Sequence, residues 1–268
     1  MKDLIKQLIN AGIEQSEAQK EISILEKEFS DENKVNKIVN QRIKTRKPLQ
    51  YILGKAYFMD FEVKVTNKVL IPRPETEILV EETVKRYRGT PWHVLDIGTG
   101  SGIIAIALAK LIPDIKIIAI DIDKDVINLA RENAKRNSVE NRIQFKLCDL
   151  FSDTAEQIFR TNNFNLIISN PPYVKEDEFK KLRPEVSIHE PKVALSGTKE
   201  NKTGLIYYER IIELCCKGRS RPVPAVIALE IDPQLVKDLK SLLHKKGLNN
   251  FEIVKDYAKL DRCLFVWL

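Results

Sequence analysis

Four residues at the end of an apolar run could hold a flat, nitrogen-bearing group for a reaction. Asn170, Pro171, Pro172 and Tyr173 directly follow the apolar run at 164–169. An amide or amino nitrogen is a poor nucleophile because its lone pair is delocalised, so a site that uses it must hold it still. The Asn170 side-chain oxygen and the Pro171 backbone carbonyl can accept its two N–H bonds, and Tyr173 offers a flat face. A plain turn after a strand is the alternative, since paired prolines also mark loops.

A glycine-rich turn between a predicted strand and a predicted helix offers a second site. It joins the apolar run at 92–96 to the helical run at 103–110, and it consists of Gly98, Thr99, Gly100, Ser101 and Gly102. Glycine lets the backbone approach a bound nucleoside, and the helix N-terminus offers free N–H groups. The last glycine of a dinucleotide fingerprint would fall at Ile103, so a pyrophosphate-binding turn is disfavoured. An ordinary tight turn is the alternative.

A carboxylate ends the next predicted strand. Asp121 follows the apolar run at 116–120, where it could accept hydrogen bonds from both hydroxyls of a ribose. Asp149 and Asn170 also follow predicted strands. The carboxyl ends of parallel strands share one edge of a sheet, where open α/β folds bind their ligands. The glycine turn and these three residues are therefore expected on one edge, although Asp121 alone also fits a solvated carboxylate.

The elements that must position these residues alternate between strands and helices from residue 92 onward. Seven strands are predicted, at 92–96, 116–121, 143–147, 164–168, 223–230, 250–255 and 262–267. This alternation is typical of an α/β fold with a mostly parallel sheet covered on both faces. The helix after the fifth strand is predicted to have Asp232 as its N-cap, Pro233 at its first position and Gly247 at its end.

Two further segments precede the alternating part, which we take as residues 76–268. Residues 1–48 repeat apolar residues at helical spacing, which predicts a small helical bundle that could recognise a partner or act as a structural cap. Residues 49–75 are predicted to be a connector containing a β-hairpin with its turn at 66–68. Residues 174–203 are long for an α/β connection and could be a substrate-shaping lid or a solvated insertion.

Composition limits the classes of function. The chain has 268 residues, of which 43% are hydrophobic and 31% charged, which is typical of a globular protein. The net charge of +6 weakly favours an acidic partner, and the densest basic stretch holds Arg42, Lys44, Arg46 and Lys47. The four cysteines and three histidines lack metal-ligand spacing, so neither a zinc site nor a disulfide framework is expected. We expect reduced thiols in a cytoplasmic protein, and no membrane span, because the sequence shows no signal peptide and no apolar run of about 20 residues. Nothing in the sequence demands more than a monomer.

One seven-residue run is more specific than any motif above: residues 71–77 read Ile-Pro-Arg-Pro-Glu-Thr-Glu. Nearly the whole chain resembles the peptide chain release factor N5-glutamine methyltransferases, the PrmC/HemK family. The matching positions are 69–77 together with 48–54, 96–102, 170–173, Glu190-Pro191, Ala194-Leu195 and Asp261-Arg262. The resemblance implies a class I S-adenosyl-L-methionine-dependent methyltransferase fold. It also implies methylation of the glutamine side-chain nitrogen in the Gly-Gly-Gln motif of class 1 release factors.

The resemblance assigns roles to the residues already singled out. It implies that residues 1–48 grip the release factor and that the target glutamine is bound by Asn170, Pro171, Pro172 and Tyr173, of which Asn170, Pro171 and Tyr173 are catalytic. The cofactor residues that it implies are Gly98, Thr99, Gly100, Ser101, Gly102, Asp121, Ile122, Leu150 and Asn170. The expected reaction is direct attack of the glutamine nitrogen on an activated methyl group, which needs no metal and no dedicated general base.

The chain departs from the family pattern outside these positions. The family often carries Gly-Gly after Ala194-Leu195, where this chain has Ser196, Gly197, Thr198 and Lys199. Asp232 stands where a glycine is common, and residues 217–224 are unusual. These differences concern the predicted loop and the sheet edge, so they affect the fit of the substrate more than the chemistry.

Two other functions fit part of the pattern. A DNA or RNA adenine-N6 methyltransferase would apply the same Asn-Pro-Pro-Tyr geometry to the exocyclic amine of adenine. However, the sequence has no segment suited to reading a flipped base or to stacking single-stranded bases. A non-catalytic cofactor-binding or ribosome-associated protein is the other alternative, but it would not need an intact Asn170 and intact glycines. Methyl transfer to a release factor, to nucleic acid or to neither distinguishes the three functions.

Overall fold

A computed structural model of the protein describes residues 2–86, 92–198, 201–217 and 226–268. The first helices are α1 (Lys2–Asn10), α2 (Gln15–Glu28), α3 (Glu32–Thr45) and α4 (Leu49–Leu53). Their apolar stripes meet in a separate small core that includes Leu8, Ile22, Leu25 and Val39. Helix α3 begins where Asp31 accepts a hydrogen bond from the Asn33 backbone N–H at 2.9 Å, a typical N-cap.

A β-hairpin follows, but its turn lies earlier than the sequence suggested. Strands β1 (Lys55–Phe58) and β2 (Phe61–Lys64) pair antiparallel around Met59 and Asp60. The predicted turn at 66–68 is therefore wrong as the turn of this hairpin. Burial alternates separately in each strand, and the alternation breaks at the exposed Asp60, which is the signal for the true turn. Residues 65–71 continue outside the sheets: they turn at Asn67 and Lys68, where Val69 N donates to the Thr66 carbonyl at 3.1 Å, and they bury Val69 and Ile71.

The main sheet has seven strands: β3 (Trp92–Ile97), β4 (Ile115–Asp121), β5 (Ile143–Leu147), β6 (Leu166–Ser169), β7 (Val226–Glu230), β8 (Phe251–Lys255) and β9 (Asp261–Trp267). Their order is β5-β4-β3-β6-β7-β9-β8. Strands β3 to β7 are parallel, whereas β9 runs antiparallel to both β7 and β8. The predicted α/β fold with a mostly parallel seven-stranded sheet is confirmed. The first part of the strand predicted at 223–230 lies outside the described residues.

Helices cover both faces of this sheet. They are α5 (Pro74–Arg86), α6 (Ile103–Leu111) and α7 (Lys124–Arg136) on one face, and α8 (Asp153–Thr161), α11 (Ile206–Lys217) and α12 (Val236–Lys245) on the other. Successive strand residues enter different cores: Val94 packs with the first group and Leu95 with the second. This is the burial expected for a parallel sheet between two helical layers.

Two predictions about the start and the end of the helix that follows β7 are confirmed. Asp232 caps a short 3-10 turn at Pro233–Leu235 that leads into α12, and it accepts from the Gln234 N–H at 2.7 Å. Gly247 follows the helix with a φ of +72°, a conformation that other residues rarely adopt. Within the described ranges, no helix combines the length and the apolar character needed to cross a membrane.

The long connection after β6 contains helices in its described part. They are α9 (Pro184–His189) and α10 (Lys192–Ser196). The segment therefore has structure of its own, and it lies between the N-terminal helices and the carboxyl edge of the sheet, as the contacts below show.

Candidate active site

A large cavity opens at the carboxyl edge of the sheet, with a volume of about 1110 Å³ including its mouth. Its wall combines the ends of β3 to β6 with residues 68–73 and with Val193 and Ala194 of α10. Of the predicted site residues, the cavity is lined by Gly98, Thr99, Gly100, Ser101, Asp121, Ile122, Asp149, Leu150, Asn170, Pro171 and Pro172. Gly102 and Tyr173 are not part of its lining. Residues predicted from separate strands are thus brought to one place.

The glycine turn is shaped by conformation and by close packing. Gly98 and Gly100 have φ values of +67° and +56°, a backbone conformation that favours glycine. At Gly98 the conformation alone accounts for the glycine, since a Cβ there would meet no protein atom within 4 Å. Gly102 meets both constraints, since its φ is +86° and a Cβ there would lie 3.2 Å from the Cβ of Ala130 on α7. The missing side chain therefore also allows α6 and α7 to approach each other.

A buried carboxylate supports the turn from behind. Asp96 is fully buried and accepts a hydrogen bond from Thr99 Oγ1 at 2.6 Å. Burial raises the pKa of Asp96 to about 7, against the lowering effect of the Thr99 hydrogen bond. Ser101 is tied to α7 through its carbonyl, which accepts from Asn133 Nδ2 at 2.9 Å. The turn is therefore held on both sides before any ligand binds.

Asp121 lies at the end of β4 with its carboxylate fixed by two backbone amides. Gly100 N donates to Oδ2 at 3.0 Å, and Asp123 N donates to Oδ1 at 3.2 Å. Burial raises the pKa of Asp121, although these amides act in the opposite direction. Each carboxylate oxygen has capacity for a further donor. The side chain is therefore preorganised to accept a pair of hydroxyl groups.

The wall beside Asp121 is apolar at Ile122 and Leu150. Ile122 is 41% exposed at the mouth, whereas Leu150 is buried in the wall. The cavity thus offers paired acceptors, an apolar slot and backbone amides at a glycine turn. These features fit the ribose, the base and the amino-acid part of S-adenosyl-L-methionine. Among the side chains that the structure places, no cluster of three or more His, Cys, Asp or Glu residues could hold a metal ion.

Asn170 faces the other end of the cavity and is held by a chain of two hydrogen bonds. Its Nδ2 donates to Thr76 Oγ1 at 3.2 Å, and Thr76 Oγ1 donates to Glu230 Oε2 at 2.6 Å. Both Thr76 and Glu230 are buried. Burial raises the pKa of Glu230 to about 7, with the Thr76 hydrogen bond acting against that rise.

Tyr173 packs behind the motif instead of lining the cavity. Its side chain lies against the core on the α11 face of the sheet, which includes Tyr207 and Leu235, and burial raises its pKa. The backbone around it is fixed, because Val174 N donates to the Leu195 carbonyl at 2.9 Å. Asn201 Nδ2 also donates to the Pro172 carbonyl at 3.3 Å. These bonds fix the backbone beside the motif, and the half-buried Tyr173 ring packs against this core.

The segment carrying α9 and α10 is held at the cavity by an ion pair between the half-buried Arg73 and the buried Glu190. Arg73 Nη2 donates to Glu190 Oε1 at 2.6 Å, and Arg73 also lines the cavity. Burial raises the pKa of Glu190 despite this neighbouring guanidinium. The contact connects the Ile-Pro-Arg-Pro run with the Glu-Pro motif 117 residues later.

A second ion cluster fastens the same segment to the N-terminal helices. Arg42 is buried and pairs with Glu21 at 2.9 Å and with Glu185 of α9 at 3.3 Å. Arg46 reaches the same Glu185 oxygen at 2.5 Å. The basic stretch around Arg42 is thus partly engaged inside the protein. We call this set of Arg42, Arg46, Glu21 and Glu185 the buried ion cluster.

Reasoning from the sequence missed several of these contacts. Thr76 and Arg73 were noted only as parts of a motif, and Glu230 and Asn201 were not singled out. A signal did exist for Glu230, because it ends a strand of four apolar residues and a buried carboxylate almost always has a partner. The identity of that partner lay beyond reach, since Thr76 is 154 positions away in the chain.

Known proteins with similar sequences agree with one another. A family model described as a methyltransferase domain matches residues 91–197. The chain is 39% identical over 235 residues to the release factor glutamine methyltransferase of Thermodesulfovibrio yellowstonii, covering 87% of this chain and 80% of that protein. The release factor glutamine methyltransferase of Clostridium acetobutylicum is 35% identical over 225 residues, covering 84% of this chain and 76% of that protein.

Solved structures support the fold. The N-terminal domain of human METTL16 in complex with SAH matches with a TM-score of 0.54 at 17% identity, over 76% of this chain and 74% of that chain. At this identity the likeness concerns the fold alone. The predicted class I S-adenosyl-L-methionine-dependent methyltransferase fold is confirmed.

Proposed function

The chain belongs to the release factor glutamine methyltransferase family, and we propose that it methylates the side-chain amide nitrogen of the glutamine in the Gly-Gly-Gln motif of a class 1 peptide chain release factor. S-adenosyl-L-methionine is the methyl donor, and S-adenosyl-L-homocysteine is the second product. Because release factors act on ribosomes, the proposal places the reaction in the cytoplasm. The monomeric state remains a prediction.

One observation carries the proposal beyond family membership. Asn170 and the glycine turn line the same cavity, so an acceptor for an amide NH2 group lies beside the residues suited to hold the methyl donor. Asn170 Oδ1 would accept one N–H bond of the glutamine amide, and the Pro171 carbonyl would accept the other. Both acceptors would also stabilise the positive charge that develops on nitrogen during attack.

The residues of the chain would act mainly by positioning. S-adenosyl-L-methionine supplies a methyl group that is already activated, so the protein's task is to hold the amide nitrogen still and aim its lone pair. Such positioning can lower a barrier by about 7–11 kcal/mol in favourable cases. The nitrogen becomes far more acidic after methyl transfer, so its proton can leave to water. We assign Asn170 and Pro171 to this catalytic role and Tyr173 to supporting the motif from the core side.

We assign recognition of the release factor to residues 1–48. The buried ion cluster supports this assignment, because it connects α2 and α3 to α9, and α9 leads directly into the cavity wall at α10. A protein bound on these helices would lie next to the cavity mouth. Residues 76–268, with the connector at 49–75, would then form the part that binds the cofactor and performs the transfer.

The deciding experiment is a methyl-transfer assay with radiolabelled S-adenosyl-L-methionine. Its acceptors are a purified class 1 release factor and the same factor with the Gly-Gly-Gln glutamine replaced. Label on the first protein and none on the second is expected. Label on DNA or RNA, with none on either release factor, would instead assign the protein to nucleic-acid methylation.

A further inference from the structure

The orientation of the Asn170 amide is determined by the two residues behind it. Thr76 comes from the first turn of α5 and Glu230 from the end of β7, whereas Asn170 follows β6. The three side chains form one line, with 3.2 Å from Asn170 Nδ2 to Thr76 Oγ1 and 2.6 Å from Thr76 Oγ1 to Glu230 Oε2. Thr76 and Glu230 are each 1% exposed, so water does not compete for these bonds.

The direction of each hydrogen bond follows from counting protons. A threonine hydroxyl has one hydrogen, and the Glu230 carboxyl group can only accept when it is ionised, the state that prevails above its pKa of about 7. In that state the Thr76 hydrogen is given to Glu230, and the Thr76 oxygen can only accept from its other neighbour. Asn170 must then turn its NH2 group towards Thr76, which leaves Oδ1 for the cavity. With Glu230 ionised, this direction does not depend on how the similar N and O atoms of the Asn170 amide are assigned.

We propose that Thr76 and Glu230 are positioning residues that orient the Asn170 amide so that its oxygen, and not its NH2 group, meets the substrate nitrogen. The inference rests on the proposed function, since it concerns the group that would accept from the glutamine amide. A reversed Asn170 would present two donors to a substrate group that is itself a double donor. The substrate NH2 group would then lose its acceptor, and the positively polarised hydrogens of the two NH2 groups would face each other.

The chemistry of the substrate makes this orientation matter. Asparagine carries a donor and an acceptor on nearly identical branches, so a free side chain could offer either one to the cavity. A fixed acceptor favours a planar NH2 group over a carbonyl or carboxylate in the same position. By fixing Oδ1 as the acceptor, the Thr76–Glu230 pair also makes this position selective for hydrogen-bond donors.

Thr76 can be tested with two substitutions of matched size. Thr76→Val removes the hydroxyl and keeps the branched shape, whereas Thr76→Ser keeps the hydroxyl. For Thr76→Val we expect kcat for methyl transfer to the release factor to fall about tenfold or more, the scale of a lost bond that orients a reacting group. KM for the release factor and the Kd of S-adenosyl-L-methionine should stay within about threefold, because the lost bond orients Asn170 and does not itself hold either ligand. Thr76→Ser should recover most of the rate.

A double-mutant cycle distinguishes orientation from a general structural effect. If Thr76 acts through Asn170, Thr76→Val should lower kcat in the wild-type background but not in the Asn170→Ala background, measured in single-turnover assays. Equal loss in both backgrounds would overturn the inference, as would a Thr76→Val enzyme with unchanged kcat.

The same assay distinguishes this inference from the function on which it rests. A wild-type protein that labels no release factor would overturn the proposed function and this inference with it. An active wild type together with an equally active Thr76→Val variant would overturn the inference alone. A Thr76→Val protein that no longer binds the cofactor would contradict the role in orientation and place Thr76 in the cofactor site.

Discussion

Asp121→Asn is a perturbation of one atom at a side chain whose position is known in detail. The substitution replaces a carboxylate oxygen by NH2 and keeps the size of the group. Gly100 N and Asp123 N each donate to one oxygen of Asp121, at 3.0 and 3.2 Å. An asparagine oxygen can accept from one of these amides, but its NH2 group would face the other amide donor to donor.

The expected loss of cofactor affinity can be worked out from these contacts. If the same two oxygens accept from the ribose hydroxyls, both of those bonds involve a charged group in the wild type. A hydrogen bond to a charged group contributes about 1.5–3 kcal/mol, and a neutral one about 0.5–1.5 kcal/mol. Losing roughly 1–1.5 kcal/mol at each of the two bonds gives about 2–3 kcal/mol in total. Since about 1.4 kcal/mol is tenfold in Kd, the affinity should fall roughly 30- to 150-fold.

Isothermal titration calorimetry with S-adenosyl-L-methionine measures this directly. The matched control is Asp125→Asn, the same chemical change at an exposed position in the first turn of α7. It should leave the Kd within about threefold of the wild type, because surface substitutions usually have effects of about 0.5 kcal/mol or less. The reasoning is refuted if Asp121→Asn binds the cofactor as tightly as the wild type, or if both variants lose the same affinity.

Three further outcomes are expected. Asn170→Ala should lower kcat for methyl transfer by about 100- to 1000-fold, as loss of one charge-stabilising group does, while the Kd of S-adenosyl-L-methionine remains nearly unchanged. Arg42→Met should lower the free energy of unfolding by about 3–5 kcal/mol in urea, because it leaves the buried carboxylate of Glu21 without its partner. Asp96→Asn should raise Tm more at pH 8 than at pH 5: burial raises the pKa of Asp96 to about 7 in the folded state, against about 4 in the unfolded chain, so the wild type loses stability progressively as the pH rises from about 4 to about 7.

Each of these outcomes has a control or a contrary result. Equal loss of methyl transfer and cofactor binding in Asn170→Ala would remove Asn170 from the substrate role. Arg136→Met breaks an exposed ion pair with Glu132 and should change unfolding by less than about 1 kcal/mol; an effect as large as that of Arg42→Met would contradict the importance of burial. A Tm gain for Asp96→Asn that is the same at both pH values would show that its charge is not responsible.

The sheet and its carboxyl-edge residues could be predicted from the sequence because they depend on local patterns. Short apolar runs ending in Gly98, Asp121 and Asn170 indicate strands, and parallel strands bring their ends together whatever the details of packing. The hairpin turn was misplaced because Thr66, Asn67 and Lys68 resemble a turn more strongly than Met59 and Asp60 do. Both stretches in fact turn, and only tertiary packing decides which one joins the two strands.

The contacts that support the site could not be predicted in the same way. Thr76 and Glu230 approach each other only because α5 packs against β7, and a contact between distant positions leaves no periodic signal in a single sequence. Tyr173 could be recognised in the sequence, but its orientation could not. Its type suggested a stacking surface, whereas the half-buried ring packs against the core on the α11 face of the sheet.

The buried ion cluster also limits how this protein can exchange parts with its relatives. Glu185 belongs to the segment beside the cavity, whereas Arg42 and Arg46 belong to the N-terminal helices. A chimera joining these helices to the catalytic part of another relative would strand Arg42 or Glu185 in the interior unless the donor carried matching charges. An unpaired buried charge costs several kcal/mol, a large fraction of the stability of a typical domain. Recombination is therefore expected to preserve both ends of the cluster together, and changes at Arg42, Arg46 and Glu185 should be inherited as a set.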